Sequence, residues 1–327
     1  MSAISPTLDD VYSPVRADLE AVRHTFEQEL RSDVAWVNEL CDGLGGYRGK
    51  MIRPVLVLLT GRACESIRPA HITLAAVVEM VHLATLVHDD VLDEADVRRA
   101  QPTARSSHGN EAAVLLGDYL ISHAFHLCSS LDSADACRLI GASTNTVCEG
   151  ELLQIHRRGH LALTEAEYMD VIRRKTASLI AVCCELGALY ADADTTTVAA
   201  LTKYGLELGT AFQIIDDLLD VVGSSEELGK PAGNDAQLGK PTLATIHCMS
   251  VADPSIRDPL CAVLSGRRQC TNGELRRWTS ETGSIDYAEA KARDCIQTAM
   301  NSLDCLPPTP AKASLQALGE FVLQRRY

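Results

Sequence analysis

Residues 79–99 read EMVHLATLVHDDVLDEADVRR, and the fold turns on how that stretch is taken. Val81, Leu83, Ala84, Leu86, Val87, Val91 and Leu92 suit a buried helix. The same 21 residues hold two histidines, four aspartates, two glutamates and two arginines. Ionisable groups in an apolar run cost free energy unless something charged meets them. Asp89 and Asp93 are four positions apart, so they stack on one helical face, with Asp90 close enough to share a cation. An oxygen-only donor set suits Mg²⁺, which keeps several waters and takes one or two carboxylates together with substrate phosphates. A solvated acidic helix end would explain one such cluster equally well. The pattern recurs, however, at Asp216, Asp217 and Asp220 in AFQIIDDLLDVV. Two helices carrying such clusters side by side would form a facing pair, a known way to build a metal site in a helical bundle.

Composition supports packed helices. Of the 327 residues 46 % are hydrophobic but only 4 % aromatic, and alternating β-branched runs are scarce, so an all-α chain is expected. The formal charge of −14 argues against a nucleic-acid partner. None of the twelve cysteines is spaced as CxxC, so zinc has little support. Most of them fall in apolar runs, where reduced thiols act as small hydrophobes. The N-terminal MSAISPTLDDVYSP has neither the basic start nor the apolar centre of a signal peptide. No apolar run is expected to reach the ~18–20 residues that cross a bilayer. A soluble, cytoplasmic protein without a transmembrane segment is the expectation.

The chain is taken as a single domain over 1–327, with N-terminal helices over 1–45 and an active-site loop over 223–241. CDGLGGYRGKMIRP, at 41–54, is a glycine-rich turn with Arg48, Lys50 and Arg53 beside it, a natural anion site. It is no P-loop, because Leu44 stands where the first glycine would be and Met51 where Ser or Thr would follow the lysine. Arg98 and Arg99 follow the first aspartate cluster and could pair with it or bind a phosphate bridged by its metal. Arg173, Arg174, Lys175 and Thr176 form a basic patch in a helical run expected over about 164–190. Taken alone, that patch reads as a solvent-facing turn. Lys230 and Lys240 are the charges of the 223–241 loop, whose length suits a lid or binding loop. Two aspartate triplets attended by Lys and Arg describe a diphosphate site, since a departing diphosphate needs its charge neutralised as the C–O bond breaks. Apolar helices around the site would hold a hydrocarbon tail.

From about Gly46 onward the chain closely resembles the trans-isoprenyl diphosphate synthases of the polyprenyl synthetase family, most of all its medium- and long-chain members. GKMIRP, EMVHLATLVHDDVLDEADVRR, LLGDYL, EGELLQ, RRKTASL, GTAFQIIDDLLD and LGKPAGNDAQLGKPTL occur in the family's order and spacing. The resemblance implies an isoprenoid synthase-type helical bundle around a central cavity, working as a homodimer. It implies Asp89, Asp93 and Asp216 as the main Mg²⁺ ligands, with Asp90, Asp217 and Asp220 in support and three ions per site with substrate bound. Lys50, Arg53, His82 and Arg99 match the residues that hold isopentenyl diphosphate. Arg98, Lys175, Lys230 and Lys240 match those that hold the allylic diphosphate. Thr176 and Gln213 match the polar groups facing the developing carbocation. The reaction implied is head-to-tail 1′-4 condensation to an all-trans polyprenyl diphosphate. Whether His82 is charged near pH 7 is left open by the sequence.

Departures from the family pattern are few. Arg48 and Met51 replace a glycine and a basic residue, Ala100 the glycine after the arginine pair, and Leu238 a glutamate. Short-chain members block the cavity with aromatics four or five residues before the first aspartate; here those positions hold Thr85 and Ala84, with Val81 a turn deeper. At ~5.4 Å per helical turn, a product longer than C20 is favoured over geranylgeranyl or farnesyl diphosphate. A terpene cyclase fits poorly, for want of aromatic residues to meet migrating cations. A non-catalytic subunit of a heteromeric synthase fits poorly too, since both motifs are intact.

Overall fold

The computed structural model describes residues 7–47, 49–223 and 233–325. Arg48 and Lys230 lie outside the described residues, as does the rest of 224–232 in the 223–241 loop. The described chain is helical apart from one antiparallel two-stranded ladder, β1 (Val97–Arg98) with β2 (Gln101–Pro102), as the composition led us to expect. It divides into two compact units, Met1–Thr144 with Val182–Thr202 and Leu303–Ala317, and Asn145–Ala181 with Lys203–Ser302 and Leu318–Tyr327.

In the first unit α1 (Leu8–Tyr12), α2 (Arg16–Glu29), α3 (Ala35–Asp42) and α4 (Ile52–Ala63) lead to α5 (Pro69–Leu92). Pro69 opens α5 at the one turn where a missing N–H costs nothing, and no Gly or Pro interrupts the following 23 residues. Its apolar residues run all round the helix, so α4, α2 and α6 (Ala104–Ser129) pack against it. Leu74, Val77, Val78, Met80, Val81, Leu83, Ala84 and Val87 are all inaccessible to solvent. This 24-residue helix is long and apolar enough to cross a membrane, which corrects the expectation that no such run exists. Most of it is buried against protein, as befits a core helix. Gly117 of α6 lets the two helices close: a Cβ there would fall 2.1 Å from His88 Nε2, which instead meets the Val114 carbonyl at 3.1 Å.

The second unit holds most of α7 (Ala134–His156), then α8 (Glu165–Ile172), the start of α9 (Ser178–Leu189) and most of α10 (Thr195–Val222). Thr164 and Glu167 close a reciprocal cap on α8. The uninterrupted helix expected over 164–190 is broken by a π-turn at Arg173–Ala177, whose widened ring is closed by Ser178 N–H donating to the Arg173 carbonyl. After the loop come α11 (Asn234–Gln237), α12 (Leu243–Val251), α13 (Pro254–Leu264), α14 (Asn272–Glu281), α15 (Ser284–Ser302) and α16 (Pro310–Gln324), the last beginning in the first unit. Val221, Cys248, Leu260, Val263, Leu264, Leu275 and Trp278 form an apolar cluster beneath the end of α10.

Candidate active site

Within the first unit, Asp89 opens the last turn of α5 and Asp93 caps it, its N–H donating to the Asp89 carbonyl at 2.8 Å. A helix C-terminus carries partial negative charge and ordinarily attracts Lys or Arg. The last turn of α5 has no basic residue, and both aspartates are partly exposed there. Carboxylates placed against the dipole call for an external cation. Asp90 behaves differently. It is 1 % exposed, and Arg98 grips both its oxygens, Nε at 3.0 and 3.2 Å and Nη2 at 2.8 Å. That pair ties β1 to the end of α5.

Basic residues gather in the same unit, where Arg53, Arg98 and Arg99 all act on His82. Met51 enters α4 in the left-handed region, with φ 54°, and the preceding turn is held by Tyr12, whose hydroxyl donates to the Lys50 carbonyl at 2.6 Å. Gly49 lies against the Arg99 guanidinium: a Cβ there would stand 2.5 Å from Nη2. Arg99 in turn donates to the Tyr47 carbonyl at 2.8 Å. His82, one helical turn from Glu79, has its pKa held well below the ordinary imidazole value by burial and then by Arg53, Arg99 and Arg98. It is therefore neutral at pH 7, which answers the question the sequence left open. Burial likewise disfavours charge on Arg53, partly offset by Cys183 and the buried Glu79. Arg53, His82, Arg98 and Arg99 thus share one basic neighbourhood, and Lys50 follows Gly49, which packs on Arg99. Of the chain-length residues, Val81 and Ala84 are wholly buried, whereas Thr85 is partly open and turns its hydroxyl to the His82 carbonyl at 2.7 Å.

In the second unit the acidic triplet stands in the last two turns of α10, again with no basic residue in the final turn. Asp216 is the most exposed of the three, and Arg325 donates to its Oδ1 at 3.2 Å while lying 4.4 Å from the centre of the Phe212 ring. Asp220 is buried and accepts the Asp235 N–H at 3.0 Å, which fastens α11 to α10. Asp217 accepts from Tyr168 and Gln213, both at 2.7 Å, and Gln213 accepts from Thr176 at 2.7 Å. Burial, with the Asp235 carboxylate next, pushes the Asp217 carboxyl up to about 8. Lys175 is held by Glu151 and by Gln154 Oε1, the latter at 2.9 Å, so the EGELLQ segment positions it. Gly150 allows that approach, since a Cβ would lie 2.5 Å from the Lys175 nitrogen. Arg174 pairs outward with Asp170 and Glu149, as a solvent-facing turn would. Lys240 is buried, its N–H donating to the Asp235 carbonyl at 2.8 Å.

Sequence reasoning missed Arg325, Tyr168, Tyr12 and Glu151. A basic pair ending the chain and a Glu within the quoted EGELLQ were the only signals for any of them. Among the described residues no three His, Cys, Asp or Glu side chains converge to hold a metal unaided. Hard oxygen donors in ones and twos fit Mg²⁺ that arrives with a phosphate ligand, and they fit poorly a metal caged by protein alone.

Carboxylates set against helix C-termini, with Lys and Arg in the same units and a neutral His in the first, suit a polyanion bearing divalent cations. The chain belongs to the polyprenyl synthetase family, whose model matches residues 34–281. It is 35 % identical to octaprenyl diphosphate synthase of Escherichia coli (strain K12), over 97 % of this chain and 99 % of that one. Polyprenyl synthase of Caulobacter crescentus CB15, solved with calcium and isoprenyl diphosphate, superposes with a TM-score of 0.94 at 33 % identity, covering 99 % of each chain. Decaprenyl diphosphate synthase of Rhodobacter capsulatus gives 0.92 at 34 % identity, covering 97 % of this chain and 99 % of that one.

Proposed function

We propose that this prenyltransferase condenses isopentenyl diphosphate with an allylic diphosphate, 1′-4 and head to tail, to an all-trans polyprenyl diphosphate longer than C20. The observation that carries the reading is the pair of acidic helix ends without basic residues in their last turns, each in a unit that also supplies diphosphate-type cations. Asp89, Asp93 and Asp216 would hold Mg²⁺, three ions per site, and bound metal supplies the charge neutralisation that lets diphosphate leave. Lys50, Arg53, Arg99 and neutral His82 take the homoallylic diphosphate. Lys175, Lys240, Lys230 and Arg98 take the allylic one, Arg98 while still anchored on Asp90. Thr176 and Gln213 present oxygen to the carbocation as the C–O bond breaks, and the freed diphosphate removes the proton from the condensed product. The enzyme works as a cytoplasmic homodimer. The long-chain relatives and the small residues at 81, 84 and 85 support the product length.

Purified enzyme with Mg²⁺, isopentenyl diphosphate and, separately, C5, C10, C15 and C20 allylic primers tests this. A ladder of products ending beyond C20 is expected. A stop at C15 or C20 would overturn the length, cyclic hydrocarbon without elongation would overturn the reaction, and no turnover would bring forward the partner-subunit alternative.

A further inference from the structure

The turn that enters α4 is strained. Met51 stands at φ 54° and ψ 35°, in the left-handed region, which a residue with a Cβ disfavours roughly 5- to 30-fold. Its side chain is buried, so it is committed to the core. Rotating the Lys50–Met51 peptide would relieve the crowding, because that motion changes ψ of Lys50 and φ of Met51 together. Tyr12 opposes it. Its hydroxyl reaches across 38 positions of sequence and donates to the Lys50 carbonyl at 2.6 Å. The ring is delivered from a fixed place: Thr7 and Asp10 cap α1 reciprocally, Val11 and Val15 on either side of Tyr12 are buried, and the Ser13–Val15 turn packs on α4. Burial and then the Glu79 carboxylate hold the Tyr12 phenol above its ordinary pKa, so the hydroxyl keeps its proton as donor. Beyond the turn, residues 55–59 are wholly buried and anchor α4, which leaves 49–50 as the part that would shift.

Resting on the prenyltransferase reading, we propose that Tyr12 is a positioning residue for isopentenyl diphosphate: by pinning the Lys50 carbonyl it keeps Met51 left-handed and so sets where Gly49 and Lys50 stand. Gly49 lies against the Arg99 guanidinium, so the same bond places two of the cations assigned to that diphosphate. Tyr12 acts through the backbone, and Lys50 is the group that meets the ligand. Without the hydroxyl the turn relaxes, and isopentenyl diphosphate binds less tightly. The allylic diphosphate is assigned to Lys175, Lys240, Lys230 and Arg98, none of which this bond holds. The effect therefore belongs in one KM and not in kcat.

The test is a double-mutant cycle of Tyr12→Phe and Met51→Gly. Tyr12→Phe should raise the KM for isopentenyl diphosphate about tenfold, within the range set by the left-handed cost, with kcat and the allylic KM within about twofold. Equilibrium dialysis of isopentenyl diphosphate without primer should show the same weakening. Lys50 is exposed, so water meets its carbonyl in the variant and the fold is kept. Rescue separates positioning from lost packing. Glycine takes φ above zero about as readily as below it, so with Met51→Gly the missing hydroxyl should cost at most about twofold. Met51→Gly alone should leave both KM values within about twofold, and adding it to Tyr12→Phe should recover most of the lost affinity for isopentenyl diphosphate. Should Met51→Gly not fold, Met51→Asn, whose short amide tolerates the same region, takes its place. An unchanged isopentenyl diphosphate KM, an equal rise in the allylic KM, a matching fall in kcat, or no recovery at position 51 overturns the inference, while elongation by the unaltered enzyme keeps the underlying reading. An unaltered enzyme that elongates no primer overturns both.

Discussion

Ala100 occupies φ 59° directly after Arg99 at 50°, in the left-handed region where a Cβ is crowded. The family's glycine at this position has a conformational reason, and this chain forgoes it. Relief of about 1–2 kcal/mol of crowding, less about 0.5–1 kcal/mol for the freer unfolded chain, predicts that Ala100→Gly stabilises the protein by about 0.5 kcal/mol in urea denaturation. Gly49 presents the opposite case. Gly49→Ala should push the Arg99 guanidinium aside without unfolding the chain, because the crowded atoms end a flexible side chain. Losing one charge-assisted hydrogen bond of about 1.5 kcal/mol predicts a KM for isopentenyl diphosphate about tenfold higher and kcat nearly unchanged. His82 supplies the pH dependence. Its folded pKa lies well below 6.5, so between the two values the unfolded chain binds a proton that the folded chain refuses. Stability then rises with pH up to about 6.5 and levels off, at up to about 1.4 kcal/mol per pH unit for this one group. Urea midpoints measured from pH 5 to 8 should show that slope, and His82→Asn should reduce it.

At the scale of elements, the end of α5 depends on one ion pair. With Asp90 1 % exposed and both oxygens on Arg98, Arg98→Met leaves a buried carboxylate alone and should destabilise by about 3–5 kcal/mol. Arg98→Met combined with Asp90→Leu should restore most of that loss, a recovery that unfolding curves would register and that repulsion or misfolding would not produce. The π-turn is the other sensitive element. Gly150 has no room for a methyl group against the Lys175 backbone, so Gly150→Ala shifts the turn bearing Lys175 and Thr176. A displacement near 1 Å there predicts a fall of about 100-fold in kcat, against a small change in helix content by circular dichroism.

For the whole molecule the proposed reaction predicts dependence on an added divalent ion. The aspartates stand in ones and twos and need phosphate oxygens to complete a metal shell, so chelation should abolish condensation and leave the fold intact. Exhaustive treatment with EDTA should remove turnover while the melting temperature stays within about 2 °C, and Mg²⁺ should restore activity. A structural metal would instead lower the melting temperature as it left.

Helix content, the burial of α5 and the aspartate motifs were legible in sequence, because periodicity and the expense of charge in apolar runs are local properties of the chain. The basic residues at 50, 53, 98, 99, 175 and 240 were legible as types and spacing. Their partners were not. That Asp90 belongs to Arg98 and Asp220 to α11, that EGELLQ holds Lys175, and that a π-turn interrupts an otherwise ordinary helix each depend on groups brought together from distant parts of the chain. The charge of His82 depends on them most directly. Its neutrality comes from burial and three guanidiniums, two of them 16 or more positions further along the chain, and only the tertiary structure sets those beside one imidazole.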